Sequence, residues 1–491
     1  MGKKRISGST QIIAMTIITI AAQIISLYKS IYTATNYGAS SSMDAYNYAT
    51  NIATLFFDFI SSGVATVLLP AYVKKQSKEA INSFLSIIYT VVVVILFTIY
   101  VFRYPIINLL TNREIEFVDA FGKYMLIVFA IQACISLLLV LSAYYQSKEI
   151  YVLPKVINFL ANLGVLLFLI VSPKTDIAVY FKVVFVGVFS NLIVDYLIAN
   201  RKGFSYKICF NIKLAETRQM LKVFVPTLLS CGVFKLHTFI DTMITTNLEV
   251  GALTVLTYST QVSGMITNFA VGNLLTYAYP KIVQDIPNAK DNQMALRKYI
   301  VAFYTIVGLL LVGFWSVGHY GINLVYMRGA FTNKSAYMLY LCSLLYLIGQ
   351  LFIVIRDLIF RYYYANENTK PTVSNSILSC IVNIVLSIVL AKIVGAYGVV
   401  LGTVISGLLS TILIIIRMDK EYGIAYKLDM FKEIGKCSVV IIMTIFVLEI
   451  LKHLIVFENN IVAILVWGVI SVIVYVLGLI LLKCNVIKEK L

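Results

Sequence analysis

Runs of about twenty mostly apolar residues, separated by short polar gaps, dominate this 491-residue chain and leave it few possible folds. A run of that length crosses a bilayer as a helix, because lipid offers no water to satisfy backbone N–H and C=O groups. Spans are read near 11–35, 44–70, 84–110, 119–145, 152–171, 176–199, 219–246, 252–279, 298–324, 336–364, 372–392, 396–417, 437–457 and 460–483. Composition agrees: 60% of residues are apolar and 13% are charged, against about 25% charged in soluble domains. The expected fold class is an all-α polytopic membrane protein with about 14 transmembrane helices. Spans one, two, seven and eight are the most polar, so they are expected to face protein or a water-filled cavity.

The net charge of +17 invites a nucleic-acid reading, and the placement of the charges excludes it. A nucleic-acid binder gathers Lys and Arg on one soluble face, whereas here they occupy short gaps between apolar runs. Soluble enzymes, disordered chains and disulfide scaffolds are excluded by the same composition. The seven cysteines are scattered without any C-x-x-C pair, so they support neither a metal site nor a disulfide framework. The basic start, with Lys3, Lys4 and Arg5, leads into an apolar run of spanning length and reads as a first span, not a cleavable signal.

Orientation follows from the gaps. With the N-terminus in the cytoplasm, the cytoplasmic gaps hold Lys74, Lys75, Lys78, Lys148, Arg201, Lys202, Lys207, Lys213 and Arg218. The same side gains Lys281, Lys290, Arg297, Lys370, Lys420, Lys427 and Lys432, while the opposite side holds little beyond Arg113, Lys174, Arg328 and Lys334. Both termini are therefore expected inside. Every gap is short, which weighs against a glycan polymerase or ligase with a large extracytoplasmic loop. A transporter needs no such loop.

Weak echoes suggest duplication. Tyr48-Ala49-Thr50 is answered by Tyr258-Ser259-Thr260, and Pro70 and Pro280 follow each tyrosine at equal spacing. Tyr104-Pro105-Ile106-Ile107-Asn108 resembles Tyr320-Gly321-Ile322-Asn323, and Tyr144-Tyr145 with Pro154 resembles Tyr363-Tyr364 with Pro371. Their common order divides the chain into an N-terminal half at 1–200, a C-terminal half at 201–418, and two added spans at 419–491. Parallel halves of six spans are a transporter pattern, with substrate held between repeats.

Two stretches carry a family resemblance. The first runs from Tyr37-Gly38-Ala39-Ser40-Ser41-Ser42-Met43-Asp44-Ala45-Tyr46 through Ser62-Gly63 to Leu69-Pro70. The second holds Arg328-Gly329-Ala330-Phe331, Tyr363-Tyr364-Ala365, Thr369-Lys370-Pro371, Gly395-Ala396-Tyr397-Gly398 and Gly402. Together they resemble the MurJ/MviN family of lipid II flippases, within the multidrug/oligosaccharidyl-lipid/polysaccharide exporter superfamily. The resemblance implies an alternating-access carrier with a cationic cavity, moving undecaprenyl-pyrophosphate-linked glycans between leaflets. The family's cavity arginines fall here on Gln23 and Lys29 in span one, on Phe57 and Asp58 in span two, and on Gln261 in span eight.

Ionisable residues inside spans are the candidates for function. Lys29 reads either as a lysine snorkelling to the interface or as a cavity cation for phosphate. Asp44 suits a helix N-terminus or a gate. Asp58 lies mid-span and calls for Lys29 or Lys235 as a partner. In span seven, His237 and Asp241 share a helix face. In span ten, Asp357 precedes Arg361 by four residues, the favourable order for an ion pair, which leaves Arg356 for a phosphate. Lys182 and Asp195 in span six read as structural. The tyrosine clusters at span ends read first as interface belts. The substrate-binding candidates are thus Lys29, Asp44, Asp58, Lys235, Gln261 and Arg356. The resemblance adds a sodium site at Asp241, Asn383, Ser387, Val399 and Thr403, whose oxygens suit a hard cation.

No catalytic residues and no cofactor are expected, apart from a sodium ion or the membrane potential as driving force. The expected partners are a lipid-linked glycan, membrane lipid and the cell-wall synthesis machinery, without nucleic acid. The expected location is the bacterial cytoplasmic membrane. Rival readings are a flippase for capsular or other polysaccharide repeat units and a drug/cation antiporter of the same superfamily. The antiporter is disfavoured by the two added spans.

Overall fold

The apolar runs form helices, which is the only way a single segment can satisfy its own backbone in lipid. The computed structural model describes residues 8–73, 76–148, 150–267, 289–365, 368, 370–424, 427–455, 457 and 459–484, the side chains of 8–16, 58–66, 73, 225–235, 289–293, 295, 364–365 and 427 excepted. Fifteen helices and no strand occur among these residues. The first nine are α1 (Gly8–Tyr37), α2 (Ser41–Val73), α3 (Lys78–Val101), α4 (Arg103–Leu110), α5 (Ile115–Ser147), α6 (Val152–Val171), α7 (Ile177–Arg201), α8 (Ala215–Thr246) and α9 (Ala252–Thr267). After them come α10 (Ala289–Tyr326), α11 (Asn333–Ala365), α12 (Lys370–Val394), α13 (Ala396–Tyr422), α14 (Lys427–Leu454) and α15 (Asn460–Leu481). Eleven helices are long and apolar enough to cross a membrane among the described residues. Among these eleven, α1 has the lowest mean hydropathy, 1.3, in keeping with its more polar sequence.

One expected span is corrected. The run 84–110 is two helices, because α3 ends at Val101 and α4 starts at Arg103 around a break at Phe102. Pro105 has no N–H to donate to the carbonyl of Val101, so the α-helical ladder cannot continue through it. α3 starts at a true cap: Ser77 Oγ accepts from the Ala80 N–H at 3.2 Å.

The chain forms two compact units, Met1–Leu253 and Thr254–Leu491. In the first, α2 packs on α5 and α8, α7 packs on α5 and α6, and α1 packs on α6. In the second, α13 packs on α11 and α12, and α10 packs on α11, α14 and α15. The repeat tyrosines have comparable surroundings within their own units. Tyr48 packs edge-on against Phe117 and Phe121, and Tyr258 packs against Tyr326 and Phe331.

The described members of the tyrosine clusters at span ends do not form an outward belt. Tyr144, Tyr145, Tyr362 and Tyr363 are buried. Tyr144 Oη donates to the carbonyl of Lys202 at 2.7 Å, and Tyr145 Oη donates to that of Asp195 at 2.8 Å. Tyr362 and Tyr363 both meet Tyr422 edge-on. These residues fasten α5 to α7 and α11 to α13; an inward phenol can bury its ring while its hydroxyl takes a backbone carbonyl.

The last two helices are docked on α10 by polar contacts set in an apolar seam. Tyr475 Oη donates to the carbonyl of Thr305 at 2.9 Å, and Trp315 Nε1 donates to Glu449 Oε1 at 2.6 Å. Trp467 is fully buried. Trp467→Ala should therefore cost about 3–5 kcal/mol, read as a lower Tm of the detergent-solubilised protein. Ile473→Ala, at a half-exposed position of the same helix, should change it little; equal losses would contradict this docking.

In the first unit, Glu216 Oε2 accepts from Ser77 Oγ at 2.6 Å and from the Ser77 N–H at 3.0 Å. These two bonds hold its carboxyl below the usual carboxylate range. A carboxyl whose folded pKa is depressed adds stability above its unfolded pKa, near 4.3, and loses it as pH falls further. Ser77→Ala should lower Tm at neutral pH, and the gap to the natural protein should shrink below about pH 4.3. A gap that persists unchanged at acid pH would refute the linkage.

Candidate functional site

Asp44 sits in the first turn of α2 and is completely buried. It does not cap its own helix: Ser40 does, accepting from the Met43 N–H at 3.4 Å. Asp44 Oδ2 instead accepts from Arg113 Nη2 at 3.0 Å and from the Gly251 N–H at 2.7 Å. Arg113 also donates through Nε to the carbonyl of Thr246 and through Nη2 to that of Glu249. The pair thus joins the head of α2, the turn between α4 and α5, and the turn after α8. Gly251 is obligatory here. Its φ is +85°, and a Cβ would lie 2.5 Å from the carbonyl oxygen of Ala39.

Lys29 lies on the wall of an open cavity of about 670 Å³ lined by α1, α2, α5, α6 and α7, all within the first unit. Its Nζ donates to Asn162 Oδ1 at 2.7 Å. The helix end that carries Lys29 is fixed two turns further on. Tyr32 Oη lies 2.6 Å from Thr175 Oγ1, and Tyr37 Oη donates to the carbonyl of Thr175 at 3.0 Å. Gly38, at φ +61°, ends the helix. A second cation, Lys155 of α6, lines the same cavity and donates to Thr19 Oγ1 at 3.2 Å. Gln132, Asn158, Asn162 and Asn191 add uncharged polar groups. Such a wall can take the oxygens of an anion, with ammonium groups for its charge and amides for its remaining lone pairs.

The other candidates are placed as follows. Arg356 is held by its neighbour: Nε and Nη2 donate to Asp357 Oδ1 at 3.0 and 2.8 Å. The guanidinium also lies over the Phe360 ring. This corrects the expected Asp357–Arg361 pair, because the fork of Arg356 gains two charge-assisted bonds from the same oxygen. Gln261 is exposed on α9. The side chains of Asp58 and Lys235 lie outside the described residues. Of the proposed sodium positions, four meet in the second unit. Asn383 Nδ2 donates to Thr403 Oγ1 at 3.1 Å, Thr403 Oγ1 donates to the carbonyl of Val399 at 3.3 Å, and Ser387 backs onto Gly402. Asp241 belongs to α8 in the first unit, where its carbonyl accepts from Thr245 Oγ1 at 2.7 Å. His237 Nε2 lies 3.3 Å from Thr238 Oγ1.

Three site residues escaped the sequence reading: Arg113 as the partner of Asp44, Lys155, and Asn162. The signal for the last two was present. Lys155, Asn158 and Asn162 recur at three- and four-residue spacing on an otherwise apolar helix, which puts them on one face.

A helical chain of membrane-length spans, with a cavity in its first unit that carries two lysines and several amides, fits the class of membrane carriers. Residues 33–472 match the family described as lipid II flippase MurJ, and the chain belongs to that family. Curated relatives include the probable lipid II flippase MurJ of Rickettsia prowazekii, 21% identical over 391 residues covering 75% of this chain and 76% of the relative. That of Thermotoga maritima is 24% identical over 389 residues, covering 76% and 78%. Among solved structures, a lipid II flippase MurJ in an inward closed conformation aligns with a TM-score of 0.80 at 21% identity, over 97% of this chain and 100% of that one. An inward-facing multidrug resistance MATE transporter of the MOP superfamily aligns with 0.61 at 13% identity, over 87% and 99%. These likenesses carry the fold.

Removing one member of a buried ion pair strands the other, at a cost of about 3–5 kcal/mol. Asp44→Asn and Arg113→Gln should each lower Tm markedly, and the double variant should lose far less than the sum. Additive losses would mean that the two side chains do not act as a pair.

Proposed function

We propose that this chain carries lipid II across the bacterial cytoplasmic membrane from the inner to the outer leaflet by alternating access, with both termini in the cytoplasm. The family match over residues 33–472 carries this reading. The cavity supports it chemically. A pyrophosphate-linked headgroup brings negative charge, and Lys29 and Lys155 stand on one wall with amide groups between them. The bond from Lys29 to Asn162 keeps the ammonium in place without neutralising it. An incoming phosphate oxygen can replace that amide oxygen as the acceptor. The prenyl tail stays in lipid while the head crosses. The sodium positions on α12 and α13, or the membrane potential acting on charges inside spans, supply the driving force.

Replacement of Lys29 by Ala should abolish rescue of cells depleted of their own lipid II flippase, with normal protein level in the membrane. Lys29→Arg should restore part of the rescue, since charge is kept while geometry changes. Full rescue by Lys29→Ala would remove Lys29 from the substrate path.

A further inference from the structure

Asp195 of α7 has no part in the reading above, although it lines the same cavity. It is only 3% exposed, and its Oδ1 has no hydrogen-bond partner among the described residues. One helical turn earlier, Asn191 is equally buried, and its Oδ1 is likewise without a partner. Residues four apart share a helix face, so two unsatisfied acceptors stand together on the cavity wall. The ionisable groups that face them come from every neighbouring helix. Lys29 belongs to α1, Tyr46 to α2, Tyr145 to α5 and Lys155 to α6. Tyr145 Oη is committed to the carbonyl of Asp195, Lys29 to Asn162 and Lys155 to Thr19. Among the described residues, Asp195 makes no ion pair.

A hydrogen added to the Asp195 carboxyl would give Asn191 Oδ1, one helical turn away, the donor it lacks. We propose that Asp195 is a proton-binding site whose occupancy is coupled to the anion in this cavity: a proton from water forms the O–H of Asp195, and that O–H donates to Asn191 Oδ1. The carboxyl passes from −1 to 0 and no other bond changes. With Lys29 and Lys155 both charged, the wall goes from +1 (2 − 1) to +2. A more positive wall holds a phosphate oxygen more tightly, and by linkage a bound anion raises the proton's affinity by the same factor. A metal cation is the poorer occupant, because two ammonium groups line the same cavity and the carboxylate is single. The coupling rests on the pyrophosphate reading above; the proton site itself does not.

The test uses the full chain in nanodiscs of zwitterionic lipid. The first arm needs no ligand: difference infrared spectra across a pH step should show the carbonyl band of a protonated carboxylic acid that is absent in Asp195→Asn and present in Asp195→Glu. Absence of such a band in the natural protein overturns the proton site. Asp195→Asn copies the neutral acid, so it should fold, and its Tm should gain on the natural protein as pH rises. A Tm deficit that is the same at every pH also overturns it. The second arm titrates inorganic pyrophosphate by calorimetry in buffers of different ionisation enthalpy. Proton uptake should be greater in the natural protein than in Asp195→Asn, by up to one per site; comparing the two cancels the ligand's own titration. Equal uptake overturns the coupling. Absence of pyrophosphate binding in both, with the infrared band intact, overturns the cavity reading and leaves the proton site standing.

Discussion

Lipid cannot hydrogen-bond, and most of this structure follows from that deficit. Each backbone must satisfy itself, so the long apolar runs become helices and the polar side chains within them must find partners on neighbouring helices. The partners are specific and local to each unit. Tyr475 of α15 reaches the carbonyl of Thr305, and Tyr145 of α5 reaches that of Asp195. Asn375 of α12 bonds Ser410 of α13 through its carbonyl and its hydroxyl. In water such bonds would compete with solvent; inside a bundle they fix which face of one helix meets the next. Glycines then set how closely backbones approach. At Gly398 a Cβ would lie 2.2 Å from the backbone carbonyl of Leu390, so α12 and α13 meet at a distance only glycine allows.

The helices themselves were legible because the signal that defines them is length and apolarity, and both are written along the chain. The break in the third span was legible in principle through Pro105, since a missing N–H is a property of the residue and not of its surroundings. The tyrosine clusters misled for a physical reason. Tyrosine has the same amphipathic character whether its hydroxyl meets a headgroup or a buried carbonyl, so position at a span end cannot separate the two. Only the packing of α5 on α7 and of α11 on α13 decides it.

The site was less legible, because partners across helices leave no trace in local spacing. Asp44 announces itself at a helix head, but its partner Arg113 lies 69 positions away and looks like an ordinary loop arginine. Arg356 and Asp357 show the opposite failure. The helix-face rule favours Arg361, yet a long flexible guanidinium can fold back onto the next residue and take two bonds from one oxygen. Polar stripes carry more information than single charges. Lys155, Asn158 and Asn162 on α6 mark a cavity wall by periodicity alone, and Asn191 with Asp195 on α7 does the same.

How each charge is satisfied separates structural charges from those free to act. Asp44 and Arg113 neutralise one another and are further bonded to backbone, so moving either leaves a bare charge behind. Such a pair holds a fixed junction. Lys29 is different: its partner is an amide oxygen, which orients the ammonium and leaves its charge uncancelled. A carrier needs that second arrangement, because a cation already paired with a carboxylate has little left to offer a passing phosphate. It must also be able to release what it binds, and a single amide acceptor is an easy one to regain. The large positive balance of the chain therefore says little about its cargo. The informative charges are those held by neutral partners on a polar wall inside the bundle.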